Sequence, residues 1–146
     1  MKTKGQTAME YMLIVAFALV VIIPATFLFY NYSKGSNDEL VGSQMSSIGL
    51  EILDSSERMF IGGEHQWETL KFNLPDQFKE MYILDYSELV IEYYTQTGTS
   101  QAVFFSDIEI RTENCTVPSL CTFSFNPGYI RVRVESKGDY VLLKIS

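Results

Sequence analysis

The residues that invite chemistry stand at the start of the chain. Met1-Lys2-Thr3-Lys4-Gly5 is a short basic leader ending in a Lys-Gly step, Gln6-Thr7-Ala8-Met9 is small and polar, Glu10 is a lone carboxylate, and Met12–Tyr30 is a run of nineteen uncharged residues. The chemistry is peptide-bond cleavage: the pattern reads as a processing site placed before an apolar helix. In an ordinary secretory signal the cut follows the apolar segment, at a small-residue site, and the segment is discarded. Here the residues after Tyr30 are NYSKGSND, with no such site. The apolar helix is therefore expected to stay in the mature protein.

Glu10 needs an explanation, because a carboxylate at the edge of an apolar helix costs up to about 3 kcal/mol if it sinks toward a bilayer centre. Either it finds a cationic partner, or it snorkels to the headgroups at a helix start, where the helix dipole favours an acid. A second covalent chemistry lies at Cys115 and Cys121, with five residues between them including Pro118 and Ser119. Outside the cell that spacing predicts a disulfide closing a small loop. It is not a CxxC motif, and one histidine, His65, offers little for zinc. Two sequons occur, Asn31-Tyr32-Ser33 against the apolar run and Asn114-Cys115-Thr116 beside the presumed loop, the latter expected to be the exposed one.

Other chemistry is not evident. A serine triad or cysteine–histidine pair would have to use His65, Asp107 and Glu109 read as neighbouring acids on a solvated strand face, and Gly62-Gly63 lacks the lysine and strand-to-helix setting of a phosphate loop. No enzyme, metal or cofactor is expected. The chain carries 11 basic and 18 acidic residues, and losing Met1–Gly5 would take its net charge from −7 to −9. That balance argues against a nucleic-acid surface.

The elements that position these residues follow from periodicity. Nineteen residues at about 1.5 Å each make a helix of about 28 Å, close to the roughly 30 Å hydrocarbon core of a bilayer. Lys2 and Lys4 before the span predict a cytoplasmic N-terminus and an exported remainder. Pro24 lacks an N–H and crowds the Val20 carbonyl, so the helix should kink or loosen there, although membrane helices tolerate proline. The polar Asn31–Asn37 stretch, with Gly35, is expected to end or bend this helix. Ser36 and Glu39 then fit a capping box for a second, amphipathic helix with Val41, Met45, Ile48, Ile52 and Met59 on its apolar face, stopped by Gly62-Gly63.

From His65 the pattern turns to period two. Strands are expected over Trp67–Leu74, Met81–Asp85, Glu88–Thr95, Ala102–Arg111, Cys121–Phe125, Tyr129–Glu135 and Tyr140–Ile145, with turns at Thr97-Gly98-Thr99 and Ser136–Asp139. Tyr93-Tyr94 and Phe104-Phe105 each place one ring on either sheet face. The fold class is α+β: a long N-terminal hydrophobic helix, continuing into an amphipathic one, packed on a C-terminal antiparallel β head. The expected division is 1–5 leader, 6–33 hydrophobic transmembrane helix, 34–63 amphipathic helix and 64–146 extracellular head.

Taken in order, Lys4-Gly5, then Gln6-Thr7-Ala8-Met9-Glu10-Tyr11, then the apolar run resemble the class III signal of archaeal type IV pilins, in particular the group with glutamine directly after the cut. The resemblance covers roughly the first thirty residues and implies a pilin-like fold. It implies that a prepilin peptidase, a membrane-embedded aspartic protease, cuts between Gly5 and Gln6. Glu10, at the fifth mature position, would meet the new α-amine on Gln6 of a neighbouring subunit, and Pro24 would bend or locally melt the helix in the filament. The partners implied are an assembly ATPase, its membrane platform protein and many copies of the chain. The precursor would be membrane-anchored and the product an extracellular filament. A signal-anchored monomer displaying a binding domain, or a minor pilin-like accessory subunit, fits the same residues.

Overall fold

The computed structural model describes the backbone of residues 3–116 and 119–145 and, within these, the side chains of all but residues 3–7 and Lys34. Lys2 of the leader and Pro118 of the cysteine loop lie outside the described residues. One helix, α1 (Thr3–Gly62), precedes nine strands: β1 (Trp67–Leu74), β2 (Phe78–Leu84), β3 (Glu88–Thr95), β4 (Gly98–Phe105), β5 (Ile110–Thr112), β6 (Cys115–Thr116), β7 (Leu120–Thr122), β8 (Gly128–Ser136) and β9 (Val141–Ile145). The chain is α+β, and divides between Asn37 and Asp38 into two compact units.

The first correction concerns the helix. α1 passes through Pro24, Gly35 and Ser36 as one element, so Ser36 is no N-cap and the expected second helix is a continuation of the first. A mid-helix glycine costs about 1 kcal/mol. Ending the helix and nucleating another costs more, because a first turn fixes three residues for a single hydrogen bond. Asp38, in the proposed capping box, instead accepts the backbone N–H of Gln96 in the β3–β4 turn (3.2 and 3.3 Å). The helix ends as expected at Gly62, followed by Gly63 at φ +92°, a left-handed conformation that glycine adopts without steric cost.

Within the second unit, the expected apolar stripe is buried. Val41, Met45, Ile48 and Ile52 enter a single core with the strands, Met59 packs at its margin, and Leu53 joins them. Each such side chain is worth about 1.5–3 kcal/mol when fully buried. Ser55 and Ser56 are buried too, satisfied by Glu68 on β1 and by the Ile52 carbonyl (2.8 Å each).

The strands form two sheets. Sheet A runs β1-β8-β9-β5, antiparallel except for the parallel β5–β9 pair, and sheet B runs β4-β3-β2-β7-β6, antiparallel throughout. The β8–β9 hairpin and the β3–β4 hairpin are those expected from their turns. The expected strand Ala102–Arg111 is two elements in different sheets. Ser106 explains the break: its Oγ donates to the Ile108 carbonyl (2.8 Å) and accepts the Ile108 N–H (3.3 Å), closing a local loop that competes with the ladder. Asp107 and Glu109 therefore do not share a strand face, and Glu109 instead pairs with Arg111. Past Thr122, Phe123 and Phe125 leave the sheet, with Phe125 stacked on Phe78 (5.0 Å between centroids).

Gly49 marks the closest approach of helix and sheet, since a Cβ there would lie 2.2 Å from the Phe104 ring. Gly49→Ala should destabilise the β-rich unit by about 1–3 kcal/mol, overpacking outweighing the roughly 1 kcal/mol gain in helix propensity. Denaturation of the full chain in detergent, followed by the fluorescence of Trp67, the single tryptophan, measures this; adding Phe104→Leu should recover part of the loss.

Candidate functional site

Every described side chain from Ala8 to Ser33 is exposed, Glu10 and the whole Met12–Tyr30 run included. α1 thus contains one segment long and apolar enough to cross a membrane. All its backbone bonds close within the helix, the condition for standing in hydrocarbon. Lys4, Gly5 and Gln6 lie in the first turn of α1 by their backbone, about one helical turn before Glu10. Pro24 stands mid-helix, and two residues on Thr26 donates its hydroxyl to the Ile22 carbonyl (2.8 Å). Asn31 follows on the same exposed stretch.

In the second unit Cys115 and Cys121 form a disulfide, facing each other across the β6–β7 pair. The two ends differ: Cys121 is fully buried in the core, whereas Cys115 and its neighbour Asn114 are exposed. Asn114 follows a bend at Glu113, its N–H donating to Thr112 Oγ1 (3.2 Å), and its side chain lies at the surface.

The cysteine loop also holds a strained turn that the sequence does not signal. Asp85 and Tyr86, joining β2 to β3, have φ of +49° and +58°, an unfavourable region for an aromatic residue. Three residues hold it. Ser119 in the cysteine loop donates to the Asp85 carboxylate (2.5 Å), Ile110 donates its N–H to the Tyr86 carbonyl (2.8 Å), and the Arg111 guanidinium lies between the rings of Tyr86 and Tyr140 (4.8 and 4.6 Å).

His65 is exposed beside Glu64 (3.9 Å), and its backbone N–H donates to the Ser136 carbonyl (3.1 Å). Among the described residues no three His, Cys, Asp or Glu side chains converge to hold a metal. Glu92 was also not signalled by its strand: it is buried on the outer face of sheet B, held by Lys79 (2.6 Å), Gln101 and Tyr82 (3.2 Å). The Lys79 bond above all keeps its carboxyl below the usual carboxylate range, and Ser55 with Arg58 does the same for Glu68. No protein-family model, curated protein or solved structure matches this chain.

Two outcomes follow. Cys115→Ser should cost about 2 kcal/mol by freeing a short loop, and Cys121→Ser about 1 kcal/mol more, because it also buries a hydroxyl in the core; denaturant midpoints of the two variants test the order. Groups whose folded pKa is depressed stabilise above their unfolded pKa and lose that contribution as pH falls through the folded one. The β-rich unit should therefore hold its stability above the ordinary carboxylate range and lose it below, with a shallower acid limb in Glu92→Gln, read from melting temperature against pH.

Proposed function

We propose that this chain is a structural subunit of an archaeal type IV pilus. It is made as a membrane-anchored precursor, cut between Gly5 and Gln6 by a prepilin peptidase, and drawn into a helical filament by an assembly ATPase and its membrane platform. The observation that carries the reading is the exposed apolar segment of α1, preceded by the ordered Lys4-Gly5-Gln6…Glu10 set. Such a segment needs a covering of lipid or of other helices, and a pilin uses each in turn.

The mechanism is a change of solvent for one helix. Lipid contacts along Met12–Tyr30 are exchanged for packing against the same segment of other copies. Lipid tails are as apolar as leucine, so burial alone hardly drives that exchange. Cleavage supplies a specific term: it frees an α-amine on Gln6 to meet the Glu10 carboxylate of an adjoining subunit, and two charges costly in an apolar setting then neutralise each other. The motor supplies the work of extraction. Residues 38–146, with their disulfide, are the part carried outside the cell, where oxidising conditions keep such bridges closed.

Mass spectrometry of sheared surface filaments should find an N-terminal peptide beginning at Gln6. Glu10→Ala should abolish filaments while leaving the protein displayed at the cell surface. An intact Met1 in the membrane fraction, or filaments undiminished by the substitution, would overturn the reading.

A further inference from the structure

The two outer faces of the β-rich unit differ in chemistry but match in layout. On sheet A, β1 and β8 point Trp67, Lys71, Tyr129, Arg131 and Arg133 away from the core. Trp67 pairs with Glu135 and Asn73 with Tyr129, so six residues of strand at about 3.3 Å each set the two rings about 20 Å apart, with the three cations between them. The rings are 57% and 61% exposed, and Arg133 lies 4.4 Å over Trp67. Glu135, the acid of this row, is held by Lys137 (2.5 Å). Among the described residues Lys71 and Arg131 have no ion-pair partner.

On sheet B the outward row of β3 and β4 also has a ring at each end. Phe105 pairs with Glu88 and Thr99 with Tyr94, again six residues or about 20 Å. Phe105 is 74% and Tyr94 51% exposed. Between them stands Glu92 rather than a cation. Beside it a shallow concavity of about 370 Å³ is lined by Glu80, Tyr82, Leu84, Glu92, Leu120 and Thr122. Lys79 is the cation that reaches Glu80 and Glu92, while Glu88 has no ion-pair partner among the described residues.

Exposed aromatic rows rimmed by charge mark contact surfaces, and Trp, Tyr and Arg are the side chains that most often anchor them. Here the complement of each row is the other row. We propose that the Trp67–Tyr129 face of one subunit docks on the Phe105–Tyr94 face of a second copy of this chain, with Lys71 and Arg131 directed at the Glu80–Glu92 concavity. Because the two faces are different surfaces, the contact is heterologous and leaves a free face at each end, so it propagates rather than closing a dimer. It deepens the filament reading and rests on it for its purpose, while its chemistry lies wholly in the second unit.

The test uses the full-length chain at one copy per detergent micelle, so that the apolar segment is covered, with sedimentation as readout. Self-association is expected, weakening about tenfold between about 0.05 and 0.5 M salt as the charges are screened. Lys71→Glu/Arg131→Glu and Glu80→Lys/Glu88→Lys should each be monomeric, and mixing the two should restore association. Wild type that stays monomeric, or reversal variants that associate like it, would overturn the docking. So would monomers that bind dextran sulfate through Lys71 and Arg131, since the face would then serve a polyanion. Glu10→Ala should leave micelle association intact. Filaments beginning at Gln6 without micelle association would sink the docking alone; association without filaments would sink the filament reading alone.

Discussion

Backbone hydrogen bonding in the absence of water is the constraint on which the rest of the chain is built. An apolar segment as exposed as Ala8–Ser33 can be soluble only in lipid or among other helices, and in either setting each peptide group must find its partner inside the segment. A helix meets that condition, and it explains why helical structure persists past residues that would end a helix in water. Gly35 and the polar residues around it lie past the apolar run, and there the helix continues because a break would require a second, costly nucleation. Pro24 removes one donor, and the apolar residues on either side still pair their own backbones.

The same helix meets a different requirement from Val41 onward. There its stripe belongs to the core of the β-rich unit, and the fit is set by shape rather than by solvent. Gly42 and Gly49 bring the helix against Tyr93 and Phe104, the inward members of the two aromatic pairs. Their outward neighbours, Tyr94 and Phe105, are left at the surface by the period of two. Close packing inside thus dictates which rings are offered outside.

What the sequence made legible was whatever depends on neighbours in the chain. The span Met12–Tyr30, the stripe from Val41 to Ile52, the Gly62-Gly63 stop and the two hairpins all rest on spacing and turn chemistry, and all are present. The break at Ser106, the left-handed Asp85-Tyr86 turn and the buried Glu92 were hidden because each depends on partners distant in sequence: Ile110 and Ser119 for the turn, Lys79 and Gln101 for the carboxylate. The capping box at Ser36 misled for a related reason. Its residues fit the motif, but α1 runs on through them without a break, and Asp38 beside them is engaged by the Gln96 N–H in the β3–β4 turn, fifty-eight residues away. The alternation Arg131-Val132-Arg133 showed that a charged face would exist; only the pairing of β8 with β1 put Trp67 and Lys71 on it.

That pairing also sets how charge is distributed over an acidic protein. With 18 acids against 11 bases, copies of this chain repel one another at long range. Of the eight bases beyond residue 34, six lie on sheet A or in its β8–β9 turn, so the unfavourable mean charge is accompanied by a strongly directional distribution. Repulsion then penalises most orientations of approach, and the one that sets sheet A against an acidic face is spared. Net charge thus resists random aggregation, while the clustering of bases on sheet A makes the repulsion between copies depend on their orientation.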